Sequence, residues 1–175
     1  MAHGNGKISV KRLSGALGAE ITGVDLAKPL GNDTFAAIHQ ALLDHCVIFF
    51  RDQVMTPDQH VAFARRFGPI SIHPYAASVE GHPEVMRVFK EKEDKVNFGG
   101  GWHSDMTFLE KPPLGSILYA KEVPPYGGDT MFANQYMAYD ALSDGMKKTL
   151  ESLNAVHSAN AQYGVDGRSE ANKNN

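Results

Sequence analysis

The chain has 175 residues, 42% of them hydrophobic and 21% charged, with a net charge of −3. That composition suits one globular domain and not a disordered chain, and with no clustered run of lysine and arginine it offers no nucleic-acid surface. No stretch reaches the roughly 18 apolar residues that span a bilayer, the N-terminus MAHGNGKISV lacks a signal-peptide core, and the lone Cys46 has no partner for an internal disulfide. A cytoplasmic protein that meets neither membrane nor nucleic acid is expected.

In chain order, Ile8 to Leu13 and Ala19 to Gly23 read as short β segments turned by Gly15 and Gly18. Asn32 and Asp33 can cap a helix running to about Asp44, whose inward face would be Phe35, Ile38, Ala41 and Leu42. Cys46 to Phe50 is too short for a helix and rich in β-formers, which predicts a buried strand with a buried thiol. Thr56 followed by Pro57 predicts a second capped helix over 57–67, with Val61, Ala64 and Phe67 on one face and Gly68-Pro69 ending it. Val85 to Phe89 reads as a strand, and a charged loop from Lys90 to Lys95 leads into Gly99-Gly100-Gly101. After the break at Pro112-Pro113, GSILYAKEV reads as a strand. The turn PPYGGD then delivers Thr130-Met131-Phe132 as the next one. Gln135 to Leu142 and Gly145 to Leu153 are helical. Strands dominate the middle and helices the flanks, an α+β pattern.

Trp102-His103-Ser104-Asp105 carries the chemistry. In a strand, residues i and i+2 project from one face, so an imidazole nitrogen of His103 and a carboxylate oxygen of Asp105 can reach one metal ion as neighbouring ligands. A further histidine would complete a 2-His-1-carboxylate facial triad, the donor set of non-haem Fe(II) oxygenases. The plainer reading of the same residues is a histidine hydrogen-bonded to a nearby carboxylate, and the tripeptide alone does not separate the two.

The surrounding text does more. GALGAEITGVDL, HCVIFFRDQVMTPDQHVAFARRFGPISIHP, WHSDMTF, KPPLGSILYAKEVPPYGGDT and YDALSDGMKKTLESLNAVHSA follow one another in an order that resembles the taurine dioxygenase (TauD/TfdA) family of Fe(II)- and 2-oxoglutarate-dependent dioxygenases, over roughly residues 8 to 158. The resemblance implies a double-stranded β-helix, or jelly roll, with flanking helices. It also implies that residues 1–175 are the N-terminal part of a single catalytic domain, because the family's second iron histidine and its 2-oxoglutarate-binding arginine lie further downstream. The C-terminal part of the barrel would then be absent from this chain. His157 sits in a block that is not metal-binding in the family, and the polar, aromatic-free tail 164–175 reads as a mobile loop.

Residue by residue, the resemblance implies that His103 and Asp105 hold Fe(II), with 2-oxoglutarate and O₂ as cosubstrates. Thr130 matches the position whose hydroxyl meets a 2-oxoglutarate carboxylate, and its plainer reading is a β-branched strand residue. His73 matches the histidine that faces the polar end of the substrate, and otherwise reads as a surface loop residue. The taurine enzymes carry an asparagine four positions before the iron histidine. Here that place is Gly99, with Asn97 nearby but shifted, which points away from taurine and toward a larger or different small anionic substrate. Phe98, Trp102 and Phe108 are candidate pocket walls or plain core. The implied activity is hydroxylation of a small organic acid, of sulfonate, sulfate ester or aryloxyalkanoate type, with release of succinate and CO₂, and homo-oligomers are compatible with it. The alternatives are a Zn(II)-binding jelly roll that uses no 2-oxoglutarate, and a non-catalytic fragment.

Overall fold

A computed structural model describes residues 7–73, 76–93, 95 and 99–159. The chain divides into two compact units, one of Met1–Phe67 with Leu118–Asn154, the other of Gly68–Ile117 with Ala155–Asn175.

The first unit is built on a three-stranded sheet in the order β1-β2-β3, comprising Ser9–Arg12, Ala19–Thr22 and Ile48–Phe50. β1 and β2 form an antiparallel hairpin with Ser9 opposite Thr22 and Arg12 opposite Ala19. Its loop is closed by the Leu13 amide donating to the Gly18 carbonyl at 2.9 Å, and Gly18 takes φ +91°, a conformation open to glycine at little cost. β3 runs parallel to β2, with Ala19 opposite Ile48 and Ile21 opposite Phe50. A parallel pair needs a crossover, and helix α1, Asn32–His45, supplies it. Alternation along β2 sends Ala19 and Ile21 inward, 0% and 2% exposed. Glu20 points the other way and meets Arg51 Nε at 3.3 Å.

Helix α1 contributes Ile38 and Ala41 to a core shared with Ile21, Leu26, Met55 and Phe63. Phe35 and Leu42, the remaining members of the expected inward face, are half-buried. Phe35 stacks edge-on against Phe67 at 4.8 Å, with the Arg66 guanidinium 4.4 Å from its ring centre. The helix begins one residue earlier than its acidic start suggested, because Gly31 occupies the N-cap position without a side-chain hydrogen bond. Its end corrects the reading of Cys46. The residue caps the helix at φ 65°, its amide donating to the Leu42 carbonyl, and the thiol is exposed rather than buried. β3 is accordingly half-buried.

Helix α2, Pro57–Ala64, carries the expected cap in full. Thr56 Oγ1 accepts from the Gln59 amide at 3.3 Å, while Gln59 Oε1 accepts from the Thr56 amide at 2.7 Å, a reciprocal capping box. Gln59 Nε2 also donates to the Ala27 carbonyl at 3.1 Å, tying the helix start to the loop after β2. The helix ends three residues short of Phe67, which lies in the following turn.

The segments 115–123 and 130–132 form no strand, which corrects the sequence expectation, and no double-stranded β-helix is assembled among the described residues. A strand exists only as one rail of a ladder, and no described segment pairs with either stretch. Their apolar side chains stand in solvent, Leu118 at 73%, Val123 at 71% and Met131 at 72% exposure. Tyr119 anchors the former stretch. Its hydroxyl donates to the Gln53 carbonyl and accepts from the Met55 amide, both at 3.1 Å. Short helices α3, Gln135–Asp140, and α4, Asp144–Leu150, follow, capped by Asn134 and Ser143. Asn134 Nδ2 also donates to the Ala16 carbonyl at 2.7 Å, joining α3 to the first hairpin.

The second unit holds an antiparallel ribbon of β4, Ser78–Val79, and β5, His82–Met86, turned at Glu80-Gly81. β5 begins three residues before the predicted strand and stops at Met86, and β4 carried no sequence signal of its own.

Ile38, fully buried at the centre of the first unit, is expected to lose about 3 kcal/mol on truncation to alanine. Leu43→Ala, on the same helix but 58% exposed, should stay within about 0.5 kcal/mol of the parent. Equilibrium urea unfolding measures both, and equal losses would contradict this core.

Candidate metal centre

The second unit brings His103 and Asp105 together, with Nε2 of the imidazole 3.1 Å from Oδ1 of the carboxylate. The same-face expectation is met although no ladder runs through these residues. Trp102 to Ser104 belong to no helix or strand, and Asp105 opens a turn closed by the Leu109 amide on the Met106 carbonyl at 3.1 Å. Met106 sits at φ 55°, a left-handed conformation that costs a side-chain-bearing residue about 1 kcal/mol and that turns the chain away directly after the carboxylate.

The second imidazole nitrogen narrows what the pair can do. His103 Nδ1 lies 2.7 Å from the Gly101 carbonyl oxygen. A carbonyl only accepts, so Nδ1 carries the proton, and in the neutral ring Nε2 is a lone pair facing a carboxylate oxygen. Two acceptors at that distance call for a cation between them, either a proton on Nε2 or a metal ion. Two donors each about 2.1 Å from one ion at a right angle lie about 3.0 Å apart, so the observed spacing suits neighbouring ligands of one divalent metal. The side chains are 49% and 58% exposed, and ion pairs so open to water add little to stability.

Gly99 stands directly beside the His103 ring. A Cβ there would lie 3.3 Å from Cε1 of His103, and its φ is +69°. The missing side chain therefore makes room for the imidazole.

His73 lies near enough to Asp105 to feel its charge. Burial pushes its imidazole below the ordinary histidine range, and the Asp105 carboxylate opposes that fall in part. Phe108 is half-buried in the turn after Asp105, while Trp102 is 71% exposed and walls no core. His157 Nδ1 pairs with Thr107 Oγ1 at 2.9 Å, two residues beyond the carboxylate. Among the described residues, no third histidine, cysteine, aspartate or glutamate joins the pair. Asn97 and Phe98 lie outside the described residues. Thr130 belongs to the first unit, exposed in a segment without a ladder, so the strand on which it was expected is corrected along with the others.

Sequence reading missed Ser116, whose hydroxyl donates to Asp105 Oδ2 at 3.3 Å, and the Thr107 contact to His157. Neither has a spacing signal.

The chain is 37% identical over 159 residues to an alkylsulfatase of Acinetobacter baylyi, a match covering 90% of this chain and 49% of the relative. It is 37% identical over 158 residues to an alpha-ketoglutarate-dependent sulfate ester dioxygenase of Pseudomonas putida, covering 90% of this chain and 52% of the relative. With an (S)-phenoxypropionate/alpha-ketoglutarate-dioxygenase of Sphingobium herbicidovorans the figures are 38% over 149 residues, 83% and 52%. The chain thus spans about half the length of the curated relatives it matches. The crystal structure of a taurine dioxygenase from Burkholderia xenovorans superposes with a TM-score of 0.73 at 42% identity, covering 83% of this chain and 51% of that one. The model of the taurine catabolism dioxygenase TauD, TfdA family matches residues 9–175, and the chain belongs to that family.

Proposed function

We propose that the protein is an Fe(II)- and 2-oxoglutarate-dependent dioxygenase that hydroxylates a small organic acid of sulfonate, sulfate ester or aryloxyalkanoate type. The observation that carries this reading is the 3.1 Å approach of His103 Nε2 to Asp105 Oδ1, with Nδ1 already committed to the Gly101 carbonyl. Family membership and the names of the relatives support the activity and the substrate class. Residues 1–175 are read as part of a single catalytic domain of jelly-roll type. With no third donor among the described residues, the rest of the donor set and the remaining barrel strands are assigned to the half of the family domain that the match does not span.

Bound at this pair, Fe(II) with 2-oxoglutarate and O₂ would supply the oxidation, in which the cosubstrate leaves as succinate and CO₂ while a substrate carbon gains a hydroxyl. The chain's own share is binding and orientation. His103 offers one neutral nitrogen and Asp105 one anionic oxygen, which together halve the charge of a divalent ion. The Gly101 carbonyl keeps the imidazole in the tautomer that leaves Nε2 free. Thr130 is proposed on its sequence match to donate its hydroxyl to a 2-oxoglutarate carboxylate, and Asn97 and Phe108 are proposed as substrate contacts. His73 is proposed to meet the anionic end of the substrate. With its proton affinity depressed by burial, it does so at neutral pH as a hydrogen-bond donor and not as a fixed cation.

Replacing Asp105 with alanine should abolish 2-oxoglutarate-dependent succinate formation while the circular-dichroism spectrum stays that of the parent. Parent-level succinate release by the variant would sink the assignment. The imidazole of His73 should titrate below the ordinary histidine range by NMR, and Asp105→Asn should lower it further, because the variant removes the charge that raises it. The unfolded chain takes up that proton at higher pH than the folded one, so this group contributes stability that is lost as pH falls below the ordinary histidine value. A His73 titration unchanged in Asp105→Asn would place it away from the carboxylate.

A further inference from the structure

The two oxygens of Asp105 have different partners. Oδ1 faces His103 Nε2 at 3.1 Å, and Oδ2 accepts a hydrogen bond from the Ser116 hydroxyl at 3.3 Å. Ser116 reaches back across 11 residues and past the Pro112-Pro113 break to make this contact. The hydroxyl is exposed, so water could satisfy it, and burial does not force it onto the carboxylate. The last torsion of an aspartate is broad and two-fold, so an untethered carboxylate presents either oxygen, or both, to whatever it binds.

The geometry points to Ser116 as a positioning residue that holds Oδ2 and thereby offers Oδ1 alongside His103 Nε2. This rests on the reading of His103 and Asp105 as metal donors. His103 is held in the same way, by the Gly101 carbonyl on Nδ1 at 2.7 Å, so each donor has one outer contact that orients it. The two contacts are complementary in charge. A carbonyl acceptor makes the imidazole a better donor, and a hydroxyl donor on Oδ2 draws charge to the oxygen that turns away from the ring. An oxygen already engaged by a hydroxyl is a poor second ligand. The pair then presents one nitrogen and one oxygen, which leaves the rest of a metal's coordination sphere for cosubstrates. Ser116 acts only through Asp105, and nothing in this role requires it to touch a substrate.

The test is anaerobic Co(II) titration of the protein carrying the whole family domain, followed by its visible absorption and by competition with a chromophoric chelator, on the parent, Ser116→Ala and Ser116→Thr. Ser116→Ala should bind Co(II) roughly tenfold more weakly, and Ser116→Thr, which keeps the hydroxyl, should return to within about twofold of the parent. Thermal midpoints of all three should coincide, since the side chain is exposed. A parent that binds Co(II) and a Ser116→Ala variant that binds it equally well overturn the positioning role alone. A Ser116→Thr variant as weak as alanine does the same. A parent that binds no Co(II) overturns the metal-donor reading and this inference with it.

Discussion

Everything at the His103–Asp105 pair depends on one constraint, that the imidazole of His103 has a single nitrogen left to give. The Gly101 carbonyl takes Nδ1, and the geometry of the ring then directs the Nε2 lone pair at Asp105. An unfilled gap between two acceptors is electrostatically unfavourable, so the contact is filled either by a proton on Nε2 or by a metal ion. Gly99 and Met106 serve this constraint from either side. One gives up its side chain to admit the ring, and the other accepts a left-handed backbone to turn the chain away behind the carboxylate. Backbone strain placed beside a ligand pair is commonly part of a site's preorganisation.

The first unit solves a different problem. Its hairpin, crossover helix and parallel third strand close a small apolar core around Ile21 and Ile38, and the capping box at Thr56 sets where the next helix starts. Tyr119 then draws a distant stretch of chain to this core through two hydrogen bonds at its tip, while its ring packs against the core. The neighbours of Tyr119 have no such tether. Leu118 and Val123 remain exposed, which is what a strand-forming sequence looks like when nothing described pairs with it.

Much of this was legible from residue order. Hydrophobic spacing located α1, the Thr56-Pro57 pair located α2, and Gly18 marked the turn of the first hairpin, because each signal is local and acts within one turn of backbone. The boundaries that moved did so for tertiary reasons. Cys46 sits in an apolar run yet faces solvent, since the helix needs a left-handed residue there to end, and that cap rotates the thiol outward. The strands expected at 115–123 and 130–132 carry the right residue types, but pairing is a property of two segments and cannot be read from one.

The site divides along the same line. Sequence alone determined that a histidine and an aspartate stand two apart behind a glycine run, within blocks ordered as in the TauD/TfdA family, and therefore which chemistry to expect. Spacing is a covalent fact, and it survives without knowledge of the fold. Only the tertiary structure decided which nitrogen and which oxygen face each other, that Gly99 makes room for a ring, and that Ser116 lies on Asp105. Those facts depend on side-chain torsions and on contacts between residues far apart in the chain, and no local signal specifies them.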